Sequence, residues 1–279
     1  MGTSRVVIAG CGFLGEAAAF LFAKRGHSVL GLCATQTTSV KLADRPFEIL
    51  KADISGSLSE IPAVWKQPDL LIHCASTGGG SADDYRNLYR DGLANLLEFF
   101  APRRVLFTGS TSVYAQTTGE WVDEESPTQP ARETSRILLE AESLALGAGG
   151  VVARLAGLYG PGRSTYLKKF LDGRAALEAG GTRWINQIHR DDAARALIHL
   201  SNPKVPSGIY NVCDNTPVTQ RGVYEWIADC LKKPLPPTGS AEPARKKAWT
   251  NKRVRNARLR GTGWKPAFAS YREGLPSLL

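Results

Sequence analysis

Apolar positions along this chain fall into short, nearly unbroken runs. RVVIA (5–9), SVLGLC (28–33), FEILKAD (47–53), DLLIHCAS (69–76), RVLFTGS (104–110) and VVARLAGLY (151–159) are runs of this kind, and such runs read as strands covered on both faces. Helical spacing lies between most of them: Leu88, Leu93, Leu96, Leu97 and Phe100 make one stripe over 84–100, and Ile137, Leu138, Leu139 and Leu144 another over 131–146. Strands alternating with helices predict an α/β fold, a doubly wound parallel sheet whose ligand crevice lies at the carboxyl ends of the strands. From about residue 160 the pattern becomes irregular, with helices expected over 165–178, 191–201 and 219–232 and a strand over 208–214. The expected organisation is a sheet domain over 1–160 and a smaller C-terminal lobe over 161–279, interleaved with the first. KKPLPPTGSAEP (232–243) reads as a loop or lid.

The first run ends in Gly10-x-Gly12-x-x-Gly15, and EAAAFLFAKRG follows at once as an amphipathic helix. The three glycines differ in what they permit. Gly10 turns the backbone sharply, Gly12 lets a pyrophosphate lie against the main chain, and Gly15 allows close helix–strand packing. The N–H groups of Phe13 and Leu14 then face the phosphates. Placed after a buried strand and opening a helix, the spacing predicts a dinucleotide site.

Composition adds bounds. The chain has 279 residues, 43% hydrophobic and 22% charged, ordinary for a globular enzyme. No stretch approaches the roughly 20 apolar residues of a bilayer span, so a cytoplasmic protein with no membrane partner is expected. Cysteines 11, 33, 74, 213 and 230 lack disulfide or zinc spacing and are expected to pack as small apolar residues, with no metal. Pro243 to Arg272 holds ten Lys or Arg and no Asp or Glu, more than the whole net charge of +9. Such a segment can hold an anionic substrate, touch nucleic acid or form a solvated face; without a nucleic-acid motif, the nucleic-acid reading is disfavoured.

Ten segments in order resemble the extended short-chain dehydrogenase/reductase family, which includes nucleotide-sugar epimerases and dehydratases: GCGFLG (10–15), AD (52–53), LLIHCAS (70–76), GLANLLE (92–98), TGSTSVYA (108–115), SPTQP (126–130), ARLAGLYGPGR (153–163), IHRDDAARAL (188–197), YNVCDNTPVT (210–219) and NARLRGTGWKP (256–266). The resemblance implies a Rossmann-type sheet binding NAD or NADP and a smaller substrate lobe. It also implies that Asp53 contacts the adenine, Ala75 lines the cofactor groove and Ser110 stands for the catalytic Ser or Thr. The family's Tyr and the Lys four residues later are replaced by Arg132 and Arg136 when SPTQPARETSRILLEAE is aligned on its prolines and Glu140. Neither guanidinium serves as a general base. The chain therefore resembles an atypical branch, in which Arg136 is a candidate for a ribose or phosphate contact. Tyr89 and Ala9 also depart from the family pattern.

Candidates for the missing proton-transfer role are Ser110, Ser112, Tyr114 and His189, with local packing as the competing reading for Tyr114. Asp191 is expected to cap the helix that follows His189, and His73 and Cys74 to pack in the core. After the second strand LCATQTTS (32–39) offers no carboxylate to a ribose, and Thr35 with its neighbours leaves room for a 2′-phosphate, a lean towards NADP. Two functions remain open: an oxidoreductase or epimerase/dehydratase acting on a small polar or nucleotide-sugar substrate, and a non-catalytic NAD(P)-binding redox sensor or scaffold. A homodimer through the helices over 84–100 and 131–146 is a further expectation.

Overall fold

The apolar runs lie side by side in one sheet. The computed structural model describes residues 3–239 and 250–279. In chain order the first half runs β1 (Arg5–Ala9), α1 (Phe13–Lys24), β2 (Ser28–Cys33), α2 (Gln36–Lys41), β3 (Glu48–Lys51), β4 (Leu70–His73), α3 (Ala82–Tyr85), a π-helical turn over Arg86–Asp91, α4 (Gly92–Phe100) and β5 (Val105–Ser110). There follow β6 (Glu120–Val122), α5 (Glu133–Gly147), β7 (Val151–Leu155), β8 (Gly157–Tyr159), α6 (Thr165–Leu171), β9 (Leu177–Glu178), β10 (Trp184–Ile185), β11 (Gln187–His189) and α7 (Arg190–Leu200). The chain ends with β12 (Gly208–Val212), β13 (Val218–Thr219), α8 (Gln220–Leu231), β14 (Thr238–Gly239), β15 (Lys252–Val254), α9 (Ala257–Gly261) and α10 (Tyr271–Gly274).

The seven-stranded sheet has the order β12-β7-β5-β4-β1-β2-β3. Its pairs β1–β2, β1–β4, β2–β3 and β4–β5 are parallel. Strand order reverses between β1 and β4, and an open α/β sheet offers its ligand crevice at the carboxyl ends of such a pair. Packing explains why the strands are apolar throughout: Val7, Ile8, Leu30, Leu71, Ile72 and Leu106 have no exposed surface. On α4 the stripe Leu93, Leu96 and Phe100 is equally buried.

Residues group into two compact units, one of 1–113, 130–154 and 193–210, the other of 114–129, 155–192 and 211–279. Residues 114–129 and 155–160 of the expected first domain thus group with the second unit, and 193–210 of the expected lobe with the first. The second unit holds the small pairs β8–β11, β6–β15, β9–β14 and β10–β13. Its core gathers Tyr159, Leu167, Phe170, Leu177, Val223, Tyr224, Ile227 and Tyr271.

Three local expectations shift. The run VVARLAGLY divides at Ala156, because β7 stays in the main sheet while β8 pairs with β11. The helix expected over 165–178 stops at Leu171, where Gly173 takes a φ of +66°, a left-handed conformation that ends helices. The helix over 84–100 begins earlier, at a capping box formed by Ser81 and Asp84, and contains the π turn.

Candidate functional site

Each glycine of the first turn meets different surroundings. Gly10 sits at φ +91°, and a Cβ there would lie 2.2 Å from the backbone nitrogen of Ala75; β1 therefore turns hard against the end of β4. Gly15 is closed in as well, since its Cβ would lie 2.2 Å from the Gly10 carbonyl oxygen. At Gly12 a Cβ would meet nothing within 4 Å. The turn is locked by the Gly10 and Cys11 N–H groups, which donate to the Leu32 carbonyl at 2.9 and 2.8 Å. Gly12 is exposed and precedes α1 without any side-chain cap. A helix beginning this way offers first-turn N–H groups and its positive dipole end to a phosphate. Phe13 is half-buried and Leu14 is buried, so any contribution they make to a ligand comes through the backbone.

The next strand ends add polar groups in the same unit. Thr35 caps α2, its hydroxyl accepting from the Thr38 N–H at 3.3 Å and lying 2.9 Å from the Thr38 hydroxyl. Beyond β3, the Ala52 N–H donates to the Cys33 carbonyl at 2.9 Å, tethering the exposed Asp53 beside the end of β2. One Asp53 oxygen accepts from the Ser55 N–H and hydroxyl at 3.0 and 2.7 Å. Beyond β4, Ala75 lies against Gly10.

His73, at the end of β4, is fully buried. Its Nε2 bonds the Leu88 carbonyl of the π turn at 3.0 Å, which fixes the proton on Nε2 because a carbonyl only accepts. Burial pushes its pKa down to about 4, so the ring is neutral and packs as expected, against Tyr89 and Phe107.

Ser110 ends β5 half-buried, its oxygen accepting from the Ser112 N–H at 3.1 Å, which leaves the Ser110 O–H to donate. Ser112 itself is exposed. Sequence reasoning missed what supports this strand end. Arg154 on β7 holds Glu142 on α5 with Nε on Oε1 and Oε2 at 3.0 and 3.1 Å and a terminal nitrogen on Oε2 at 2.7 Å. Both side chains are buried, and a Cβ on Gly109 would lie 2.9 Å from Glu142 Oε1. The ion pair thus fills the space beside the residue that precedes Ser110.

Other candidates stand elsewhere. Tyr114 is fully buried and its hydroxyl donates to Asn211 Oδ1 at 2.9 Å, the bonding of a packing tyrosine. Arg136 folds back on its own loop, with Nε on the Pro130 carbonyl at 3.1 Å and a terminal nitrogen on the Ala131 carbonyl at 3.0 Å. Its guanidinium is committed to the start of α5, because Arg132 is the cap position and the turn before it presents open carbonyls. His189 is buried between the rings of Tyr159 and Phe268. It accepts the Asp191 N–H on Nδ1 at 3.2 Å, so His189, and not Asp191, satisfies the first turn of α7. The neighbouring Asp192 pins the C-terminal segment by accepting the N–H groups of Ala267 and Phe268 at 2.9 and 2.8 Å.

Two buried titratable groups of the second unit were not anticipated. Asp214 accepts the Thr216 N–H at 3.0 Å, and burial, reinforced by Asp192 and Glu273, pushes its carboxyl up to about 8. Lys252 lies 5% exposed on β15; burial, with Arg183 beside it, pulls its ammonium down to about 8. The Asp214 shift has a testable sign. A carboxyl raised from its ordinary value near 4 stabilises the fold below that value and loses the contribution as pH rises through about 8. Asp214→Asn should therefore gain on the wild type by up to about 1.4 kcal/mol per pH unit across this window. Urea unfolding at pH 5 and pH 8 reads the difference; a pH-independent gap would show that Asp214 is ionised in the fold.

The geometry of the first unit is that of a dinucleotide turn, and the sequence profile of the NAD dependent epimerase/dehydratase family matches residues 6–213. The chain belongs to that family. Among solved structures, a Methylobacillus flagellatus protein, itself provisionally assigned as an NAD-dependent epimerase/dehydratase, is 29% identical with a TM-score of 0.79, over 99% of this chain and 98% of that one. MoeE5, solved with UDP-glucuronic acid and NAD, is 20% identical with a TM-score of 0.80, covering 98% of this chain and 96% of that chain. WbmG of Bordetella bronchiseptica, solved with NAD and UDP, is 17% identical with a TM-score of 0.82, covering 99% of this chain and 92% of that one. The last two likenesses concern the fold. No curated protein matches the chain. Among the described residues no helix is long and apolar enough to cross a membrane.

Proposed function

We propose that this epimerase/dehydratase family member binds NAD or NADP at the Gly10–Gly15 turn and acts on a small polar substrate of the nucleotide-sugar class. The observation that carries the reading is the division of the turn, closed by backbone at Gly10 and Gly15 and open at Gly12, as a pyrophosphate against the main chain requires. The residues fit the cofactor: the N–H groups of Phe13 and Leu14 for the phosphates, Asp53 for the adenine and Ala75 for the groove wall. The nicotinamide supplies hydride transfer when bound. The chain's own part is to orient and to hold protons, and the Ser110 O–H is the donor that β5 presents. No carboxylate follows β2, which supports NADP over NAD, with Thr35 and Thr38 as the hydroxyls available to a 2′-phosphate.

A second reading, an NAD(P)-binding sensor or scaffold without turnover, is favoured by the committed Arg136 and the buried Tyr114. Incubation with NAD or NADP and UDP-glucose or UDP-glucuronic acid separates the two. The enzyme reading expects a new sugar product by NMR or a change in cofactor absorbance. Tight cofactor binding with neither would overturn it in favour of the sensor.

A further inference from the structure

Oxidising a carbinol or reducing a carbonyl moves a hydride and a proton, and the nicotinamide accounts for the hydride alone. A serine such as Ser110 can orient the substrate oxygen, but without a base its hydroxyl does not exchange the proton. A phenol at the same end of the sheet can. Because β4 and β5 are parallel, the helical segment between them begins at the carboxyl end of β4, and Tyr85 lies in its first turn, at the end of α3.

Tyr85 is half-buried, its ring 5.0 Å from that of Tyr89. Tyr89 packs in turn on His73 and Phe107, so a ladder of rings leads from the strand ends to Tyr85. The π turn begins at the next residue, where the Leu88 carbonyl is held by His73 Nε2 at 3.0 Å. Such single π turns shift the register of a helix and recur at functional sites.

The residue after Tyr85 fixes what the phenol faces. Arg86 reaches Asp83 at 2.8 Å and, on α5, Glu133 at 2.9 Å, which brings the start of α5 to the start of this helical segment. Arg132 is the cap position immediately before Glu133. It is half-buried, and its guanidinium lies in the electrostatic field of the Tyr85 phenol. Arg86 divides its charge between two carboxylates, so Arg132 is the cation that acts on the phenol. Arg132 cannot itself exchange a proton; a phenol can, and a cation beside it stabilises the phenolate left behind. These groups and Ser110 all belong to the first unit.

We propose that Tyr85, held beside the Arg132 guanidinium, is the catalytic proton-transfer residue of this site. The inference deepens the enzyme reading above and rests on it. In the oxidative direction the carbinol C–H bond breaks and its hydride, with both electrons, passes to the oxidised nicotinamide. The carbinol O–H bond breaks as well, its proton passes to the Tyr85 phenolate oxygen, and the electron pair left on the substrate oxygen closes the C=O bond. Reduction runs the same transfers in reverse. Arg132 is a positioning residue, acting through the phenol.

The test uses the full chain with tyrosine ¹³C-labelled at the ring carbon that bears the oxygen, the Tyr85 signal being identified by its loss in Tyr85→Phe. Saturating NAD or NADP should move that signal and leave the signal of Tyr224, in the core of the second unit, in place. With UDP-glucose or UDP-glucuronic acid as substrate, Tyr85→Phe should lower kcat by about 100-fold or more while KM and cofactor affinity change by less than about twofold. Arg132→Met should lower kcat in the same way, and Arg132→Lys should restore part of it. An unmoved Tyr85 signal at saturating cofactor, or an unchanged kcat in Tyr85→Phe, would overturn the inference. Should Tyr85→Phe misfold, Tyr85→Leu assigns the signal in its place; should the wild type turn over neither sugar, the NMR titration decides alone. Calorimetry on the same samples keeps the two readings apart. Bound cofactor with an unmoved Tyr85 sinks this inference only, whereas absence of cofactor binding sinks the cofactor reading and this inference with it.

Discussion

Gly12→Val should remove cofactor binding and leave the fold standing. The position is exposed and its Cβ direction is empty to 4 Å, so a valine costs the protein little beyond its own placement. What it occupies is the approach to the first turn of α1, and a pyrophosphate displaced from that surface loses both the backbone N–H groups and the dipole end. A loss of more than about 100-fold in affinity, roughly 2.8 kcal/mol, is expected, read by calorimetric titration with unfolding midpoints as the control. Gly15→Ala gives the opposite pattern. Its Cβ would sit 2.2 Å from the Gly10 carbonyl, so the variant should lose stability whether or not a ligand is present.

Glu142→Ala is expected to be strongly destabilising. It strips Arg154, only 3% exposed, of its bidentate carboxylate, and breaking a buried ion pair by removing one partner costs about 3–5 kcal/mol. Combining Glu142→Leu with Arg154→Met should recover most of that, because a buried ion pair gains little over an apolar pair of similar volume. Urea unfolding of the single and double variants measures both; a single variant within about 1 kcal/mol of wild type would show that the pair is hydrated. Loss of the pair should also disturb Ser110, since Glu142 fills the space against Gly109.

The parts of the site that were legible in sequence are those fixed within one strand-turn-helix unit. Gly10, Gly12 and Gly15 have distinct roles because their spacing alone sets what each faces, and the strand runs implied the sheet because burial on both faces leaves no polar alternation. Side chains whose partners lie far along the chain were not legible. The Tyr114 hydroxyl meets Asn211, 97 residues away, and Asp192 meets the Ala267 and Phe268 N–H groups, 75 and 76 residues away. Arg136 bonds carbonyls only a few residues back, yet a sequence alignment compares residue types and not which carbonyls a turn leaves open. Lys252 lay hidden within a basic run that reads as surface. Its alternation with Arg253, Val254 and Arg255 was the available signal, and only the burial of Lys252 and Val254 shows which face is inward.

Calorimetric titration of the wild-type chain with NAD and with NADP decides whether the glycine turn holds a dinucleotide. Saturable binding of at least one of them, lost in Gly12→Val at unchanged unfolding midpoint, is the predicted result. Failure of the wild type to bind either, or undiminished binding by Gly12→Val, would contradict the role assigned to the glycine turn.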